Sequence, residues 1–386
     1  MLTSQPTLLI GPSDWDAEVM PKAEFTGRIA TLWGLYPEAP CAIVYGDRVH
    51  HGELAYLTNL VPKLEAAVAL LFPDGEAELH VGGGPNMIGA ARPLTFITEL
   101  KPLRGGEAIG RRAAESRARR PGAPLLIGGD YMPTALRQDI VEAIGVPPLD
   151  ATAPVWARMR RTTVYDQLAM FNAGGALGVA VEAIATAWED GSGVTDAVLA
   201  GERAAHDEGA QDVRTLFSIN GGRTLQPFTM QVDQQVDPLQ VYVAVRRFNY
   251  WAEGFYSISD QPQPAFEKAQ ELLRRALAAI RPGVEPAAVE ELVVSAMKPY
   301  RCHPVTERAL VSRIGIALEE PPHTNATMAF EPWEFCSVRV GITDEAQNHA
   351  IASAMIRVRD EGLDAFWSAA PNPIEGRPPW WNKDAG

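Results

Sequence analysis

The chain has 386 residues, of which 46% are hydrophobic and 21% are charged, and its formal net charge is −14. This length predicts two domains of ordinary size, and the composition is typical of globular chains that bury a substantial core. The acidic charge balance excludes the basic surface that nucleic acids and anionic membranes require. We therefore expect no nucleic-acid partner and no membrane partner.

The first residues and the cysteines indicate the compartment. The N-terminal stretch lacks the basic segment that begins a signal peptide, and no apolar run approaches the ~20 residues of a membrane span. The three cysteines, Cys41, Cys302 and Cys336, form no C-x-x-C pair, which excludes zinc-ribbon and redox motifs. We expect reduced, mostly buried thiols in a cytoplasmic protein.

Residues 1–150 predict a small α/β domain, in which apolar strands alternate with helices. The stretch over 145–154 is rich in proline and small residues, and it marks a domain boundary near residue 150. Residues 151–386 form the second domain. Helices are predicted over 28–35, 107–120, 132–144, 164–188, 197–208, 264–280 and 286–297, and short strands over 41–45, 66–72, 78–81 and 124–127.

A hairpin lies at the centre of the second domain. Val241, Val243 and Val245 alternate with other residues, which predicts a strand of period two. The aromatic run over 248–256 predicts the return strand, and we expect the turn at Arg246-Arg247.

The order of these elements resembles the creatinase/prolidase/aminopeptidase P family (peptidase M24). The segments that carry the resemblance include Tyr56-Leu-Thr-Asn59 in the first domain and Arg281-Pro-Gly-Val284 after the helix 264–280. The resemblance spans about residues 26–350. It implies an α/β (α+β) fold: a small N-terminal creatinase-like domain, and a C-terminal pita-bread domain with a curved antiparallel sheet. It also implies a homodimer, or a heteromer with a paralogue.

The resemblance implies where an active site would lie, and several of those positions are changed. Active relatives hold two divalent metals with two aspartates, a histidine and two glutamates. Here Tyr242 stands at the first aspartate, Ser312 at the metal histidine and Gly341 at one glutamate. Glu253 keeps a carboxylate at the second aspartate. Glu331 is the candidate for the surviving glutamate, two residues short of the family spacing from Met328.

Two carboxylates without an imidazole or a third oxygen ligand do not hold a dinuclear site. The sequence therefore predicts no metal and no cofactor, and it argues against a metallopeptidase. The substrate histidine of the family is also replaced, because Pro227-Phe228 stands at its Pro-His position.

The remaining polar residues at the family's landmarks make up the predicted site. A carboxylate beside an arginine is more often an ion pair than a catalytic group, so a structural role competes with each assignment. The candidate catalytic residues are Glu253, Glu319 and Glu331, and the candidate substrate-binding residues are Gln226, Tyr242, Arg313, Arg339 and Lys63.

Two functions remain open at this point. The first is a metal-independent, creatinase-like hydrolase or lyase that acts on a small polar nitrogen compound, with a glutamate moving protons and arginines holding a substrate carboxylate. The second is a catalytically inactive protein that binds a small molecule or serves as the partner subunit of an active paralogue. The loss of so many family positions favours the second, and the retained polar residues favour the first.

Overall fold

The structure is a computed structural model, and it describes residues 14–300, 303, 309–318, 320 and 328–369. It divides into two compact units, Met1–Met159 and Arg160–Gly386. Both units combine helices with sheets, so the predicted α/β (α+β) class is confirmed.

The first unit is built on one mixed sheet. Its helices are α1 (Lys22–Leu35), α2 (Gly52–Thr58), α3 (Pro85–Ala91), α4 (Glu107–Arg119), α5 (Thr134–Ile144) and α6 (Thr152–Met159). Its strands are β1 (Ala42–Gly46), β2 (Ala67–Leu71), β3 (Ala77–Val81), β4 (Glu99–Pro102), β5 (Leu125–Ile127) and β6 (Leu149–Asp150). The strand order is β4-β3-β2-β1-β5-β6. The central strands β1 and β2 are buried along their whole length, which explains why they are continuous apolar runs in the sequence.

The second unit contains two antiparallel sheets. Its helices are α7 (Val164–Glu189), α8 (Val194–Asp207), α9 (Pro264–Ala279) and α10 (Pro286–Met297). Its strands are β7 (Asp212–Ser218), β8 (Leu239–Arg247), β9 (Tyr250–Ile258), β10 (Val311–Arg313), β11 (Phe335–Thr343), β12 (His349–Val358) and β13 (Leu363–Ser368). One sheet has the order β7-β8-β9 and the other β10-β11-β12-β13. Helix α7 packs on β8 and β9, and α9 packs on β11 and β12.

The central hairpin is longer than the sequence predicted. Strand β8 continues through both arginines to Arg247, and the turn lies at Phe248-Asn249, so the prediction of a turn at Arg246-Arg247 was wrong. Both turn residues have positive φ, 50° and 67°. Two consecutive left-handed residues match the right-handed twist of a hairpin, and asparagine adopts that conformation more readily than arginine does.

The sheet formed by β7 and the hairpin has two faces, and one of them packs against the helices. The buried Thr215 of β7 donates a hydrogen bond to Glu202 of α8, so the odd-numbered positions of β7 face the helix. Because successive side chains alternate between faces, their neighbours in β7 point the other way. We call this second face the site face; it carries residues 212, 214 and 216 of β7, 242, 244 and 246 of β8, and 251, 253 and 255 of β9.

Helix α7 is apolar because it is a core helix of this unit. It is long and apolar enough to cross a membrane by length and composition alone. It packs on α8, β8 and β9, however, and such packing produces the same composition. Its first turn has a capping box, in which Thr163 N donates to Asp166 Oδ2 at 2.7 Å. The cytoplasmic location stays a prediction.

Candidate functional site

A buried polar cluster occupies the site face of the hairpin, and we call it the Glu253 cluster: Tyr242, Glu253, Ser312 and Arg339. Tyr242 Oη donates a hydrogen bond to Glu253 Oε2 at 2.7 Å. Arg339 Nη1 lies 3.3 Å from Glu253 Oε1, and Arg339 Nη2 donates to Ser312 Oγ. Four of the positions identified by the family resemblance therefore lie together in space.

Strand register brings these residues together. Ala244 of β8 stands opposite Glu253 of β9, so Tyr242 reaches Glu253 diagonally across the hairpin. In the other sheet, Ser312 of β10 stands opposite Ser337 of β11, two residues from Arg339 on the same face. The cluster thus joins two strands of each sheet.

The charged members of the cluster are deeply buried. Glu253 is 0% exposed, Arg339 1% and Tyr242 6%. A carboxylate and a guanidinium at this depth stabilise each other, because either charge alone would carry a large desolvation cost. The tyrosine hydroxyl adds a hydrogen bond to the Glu253 carboxyl group.

This donor set does not fit the two divalent metals of the family. Tyr242 donates a hydrogen bond to one oxygen of the carboxylate, and the cationic Arg339 stands beside the other. Gly341 lies on the same face of β11 as Arg339 and supplies no side chain. No group of three or more His, Cys, Asp or Glu residues that could hold a metal ion occurs in the described part of the chain. The positive charge at the site is thus a guanidinium that is part of the chain.

A second buried network lies in the same unit, and we call it the Glu334 cluster: Arg160, Arg313, Glu331 and Glu334. Arg313 Nε donates to Glu334 Oε1 at 3.0 Å, and Arg160 Nε donates to the same oxygen. Glu334 Oε2 accepts the backbone N–H of Glu331 at 2.9 Å. The two arginines also hold the carbonyls of Met328 and Ala329, both at 3.1 Å. This network fixes the segment that leads into β11.

The structure therefore separates the predicted substrate arginines. Ser312 and Arg313 are neighbours on β10, so their side chains point to opposite faces. Ser312 binds Arg339 in the Glu253 cluster, whereas Arg313 binds Glu334. Glu331 lies at the rim of its network with 40% of its side chain exposed, and it is 3.7 Å from Arg160 and 3.5 Å from Arg161.

The other predicted residues lie elsewhere. Gln226 exchanges two backbone hydrogen bonds with Phe217 of β7, at 2.9 Å each. Lys63 belongs to the first unit, where it lines a small cavity beside Leu60 and Met87. Glu319 lies outside the described residues. The assignment of these three residues to a ligand site stays a prediction.

Sequence reasoning missed two carboxylates, the buried Glu334 and the half-buried Glu320. Glu334 is 1% exposed and binds both arginines, although Glu331 had been the candidate at this landmark. Glu320 accepts the backbone N–H of Ile316 at 2.9 Å. Burial raises the pKa of Glu320 to about 8, and the nearby charge of Asp166 adds to the rise. The sequence signal for both is a second glutamate within three residues of the predicted one, in Glu319-Glu320 and Glu331-Pro-Trp-Glu334.

Comparison with known proteins gives matches in structure and none in sequence. No protein-family model matches the chain, and no curated protein sequence matches it. The Xaa-Pro dipeptidase from Bacillus anthracis superimposes with a TM-score of 0.68 at 15% identity, covering 89% of this chain and 97% of that one. Dipeptidase PepE from Mycobacterium ulcerans gives 0.66 at 17% identity, covering 91% and 96%.

The aminopeptidase P from E. coli gives a TM-score of 0.67 at 11% identity, covering 89% of this chain and 94% of that one. These TM-scores establish a common fold, and identities this low leave the activity open. The coverage extends over both units, and the resemblance inferred from the sequence is confirmed at the level of the fold. The chain has the two-domain pita-bread fold of the prolidase, Xaa-Pro dipeptidase and aminopeptidase P structures.

Proposed function

We propose that this protein binds a small polar molecule without metal-dependent hydrolysis, as an inactive relative of the pita-bread peptidases or as the partner subunit of an active paralogue. One observation carries the proposal. At the centre of the site face, Glu253 is fully buried and its two oxygens face Tyr242 and Arg339. The carboxylate that a peptidase would offer to a metal serves here as the centre of an ion-pair network.

The same observation weighs against the creatinase-like enzyme. A general acid or base must lie within hydrogen-bond reach of the substrate proton. Glu253 has no exposed surface, and Glu331 pairs with Arg160 and Arg161 at the rim of the other network. The two catalytic candidates that the structure describes therefore belong to different clusters, and arginines pair with both of them, which supports binding over proton transfer.

Two measurements test the proposal. Elemental analysis of protein purified without chelator should find well under one Mn, Co or Zn per chain, and adding each metal should leave the thermal unfolding midpoint unchanged. Hydrolysis of an Xaa-Pro dipeptide should be undetectable with each metal added. An active Xaa-Pro dipeptidase assayed in parallel is the control, and metal-stimulated turnover by this chain would overturn the proposal.

Assembly with a second chain forms part of the same proposal. We expect a homodimer or a heteromer with a paralogue, because the resemblance implies dimers. A partner that co-purifies and itself carries the metal-binding aspartates and histidine would support the role of an inactive subunit.

A further inference from the structure

A second polar feature of the site face lies where β7 begins and β8 ends, outside the Glu253 cluster. Arg214 Nη2 and Arg246 Nη2 lie 3.6 Å and 3.8 Å from the same oxygen, Asp212 Oδ2. Both guanidinium groups also lie over the ring of Trp251, at 4.6 Å and 5.3 Å from its centroid. We call these two residues the arginine pair. They share one carboxylate, so the group carries a net charge of about +1 in a chain of net charge −14.

The buried member of the pair has donors left over. The Arg246 side chain is 8% exposed. Within the part of the chain that the structure describes, Arg246 Nε has no hydrogen-bond partner. The 3.8 Å to Asp212 is an ionic contact and exceeds hydrogen-bond length. Burial lowers the pKa of Arg246 and Arg214 adds to the lowering, whereas Asp212 opposes it. A buried guanidinium with unused N–H groups is costly, and an anion would reduce that cost.

The other member of the pair opens the feature to solvent. The Arg214 side chain is 57% exposed and that of Asp212 is 34% exposed. A ligand can therefore approach the exposed Arg214 from solvent and contact the more deeply buried Arg246 behind it. Arg247 follows Arg246 in the chain but points to the opposite face, where it lies 3.9 Å from Glu208 just beyond α8. Arg247 is therefore not part of the arginine pair, and both members of the pair lie on the site face.

We propose that Arg214 and Arg246 bind the carboxylate group of a small-molecule ligand, which rests on the ligand-binding function proposed above. A guanidinium presents its N–H groups as a planar fork that matches a carboxylate with two parallel hydrogen bonds. The net charge of about +1 matches a monoanion, whereas a phosphate monoester carries close to two negative charges at neutral pH and would also meet Asp212. The guanidinium fork would also match a phosphate, so it is the charge balance that favours a carboxylate.

The test uses acetate and inorganic phosphate as probes, each titrated into the full chain at constant ionic strength. The readout is the NMR signal of the arginine Nε–Hε groups, and the Arg246 signal is assigned by its loss in Arg246→Lys. We expect acetate to shift this signal saturably, and Arg214→Gln to weaken acetate binding about tenfold, since a hydrogen bond between charged groups is lost. Arg223→Gln removes an exposed arginine in the loop after β7 and should leave binding unchanged.

Two results would overturn the inference. Equal acetate responses in the parent protein and in Arg214→Gln would leave the arginines a purely structural stack on Trp251. Tighter binding of phosphate than of acetate would overturn the carboxylate assignment. The proposed function fails separately, through metal-stimulated hydrolysis of a dipeptide.

Discussion

Tyr242 Oη lies 2.7 Å from Glu253 Oε2, at two positions where the metal-dependent relatives implied by the sequence hold a pair of aspartates. In this chain the Tyr242 hydroxyl donates a hydrogen bond to the Glu253 carboxylate. In the relatives a second carboxylate takes the place of this hydroxyl, and the two carboxylates bind metal. Arg339 provides the positive charge on the other side of Glu253. The polar centre of the fold is thus retained as a set of mutually compensating groups.

The hydroxyl of Tyr242 should contribute measurably to stability. We expect Tyr242→Phe to lower the free energy of unfolding by about 1–3 kcal/mol, because it leaves a buried charged acceptor without its hydrogen bond. Urea denaturation followed by circular dichroism measures this. Tyr256→Phe is the matched control, since Tyr256 is half-buried on the opposite face of β9. A loss no larger than that of the control would show that the hydrogen bond to Glu253 is energetically unimportant.

The ion pair between Glu253 and Arg339 should show strong coupling. Arg339→Met leaves a buried carboxylate uncompensated, and we expect a loss of about 3–5 kcal/mol. The double variant Glu253→Gln/Arg339→Met removes both charges and should be more stable than Arg339→Met alone. A double-mutant cycle by denaturant unfolding gives the coupling energy. Additive effects of the two substitutions would contradict the buried pair.

Glu320 should make stability depend on pH. Its pKa is about 8 in the folded protein, against an ordinary value of 4.5. Between these two values the folded state retains a proton that the unfolded state has released. The free energy of unfolding must therefore fall as pH rises through this window, by at most about 1.4 kcal/mol per pH unit.

Glu320→Gln isolates this effect, because the amide oxygen can still accept the N–H of Ile316 while the charge is gone. We expect the variant and the parent protein to have similar stability near pH 5, and the variant to become the more stable one towards pH 8. Denaturant unfolding across this range measures the difference. A difference that stays constant with pH would contradict the raised pKa.

Assembly can be tested in solution. Light scattering at micromolar concentration should give twice the chain mass, because we expect an interface larger than the ~1,000 Å² threshold for a specific contact. Lys63→Ala tests the predicted substrate-binding role of this residue, and we expect it to weaken ligand binding. A monomer whose ligand affinity is unaffected by Lys63→Ala would contradict both expectations.

The sequence by itself determined the long helices, the central hairpin and the positions where the family's chemistry had been replaced. Helix periodicity predicted α7 over 164–188 and α9 over 264–280, and the structure has Val164–Glu189 and Pro264–Ala279. These are local properties, since a helix face or a strand face repeats over a few residues. The changes at Tyr242, Ser312 and Gly341 were also readable one position at a time.

Only the tertiary structure decided which of these residues share a cluster. Strand register placed Ser312 beside Arg339 and turned Arg313 towards Glu334. It also placed Arg246 and Arg214 over one indole ring, although they come from different strands. Partners of buried charges are chosen between strands that are distant in the chain, and a shift of one residue in the pairing would turn each side chain to the other face. That choice leaves no local pattern in the sequence.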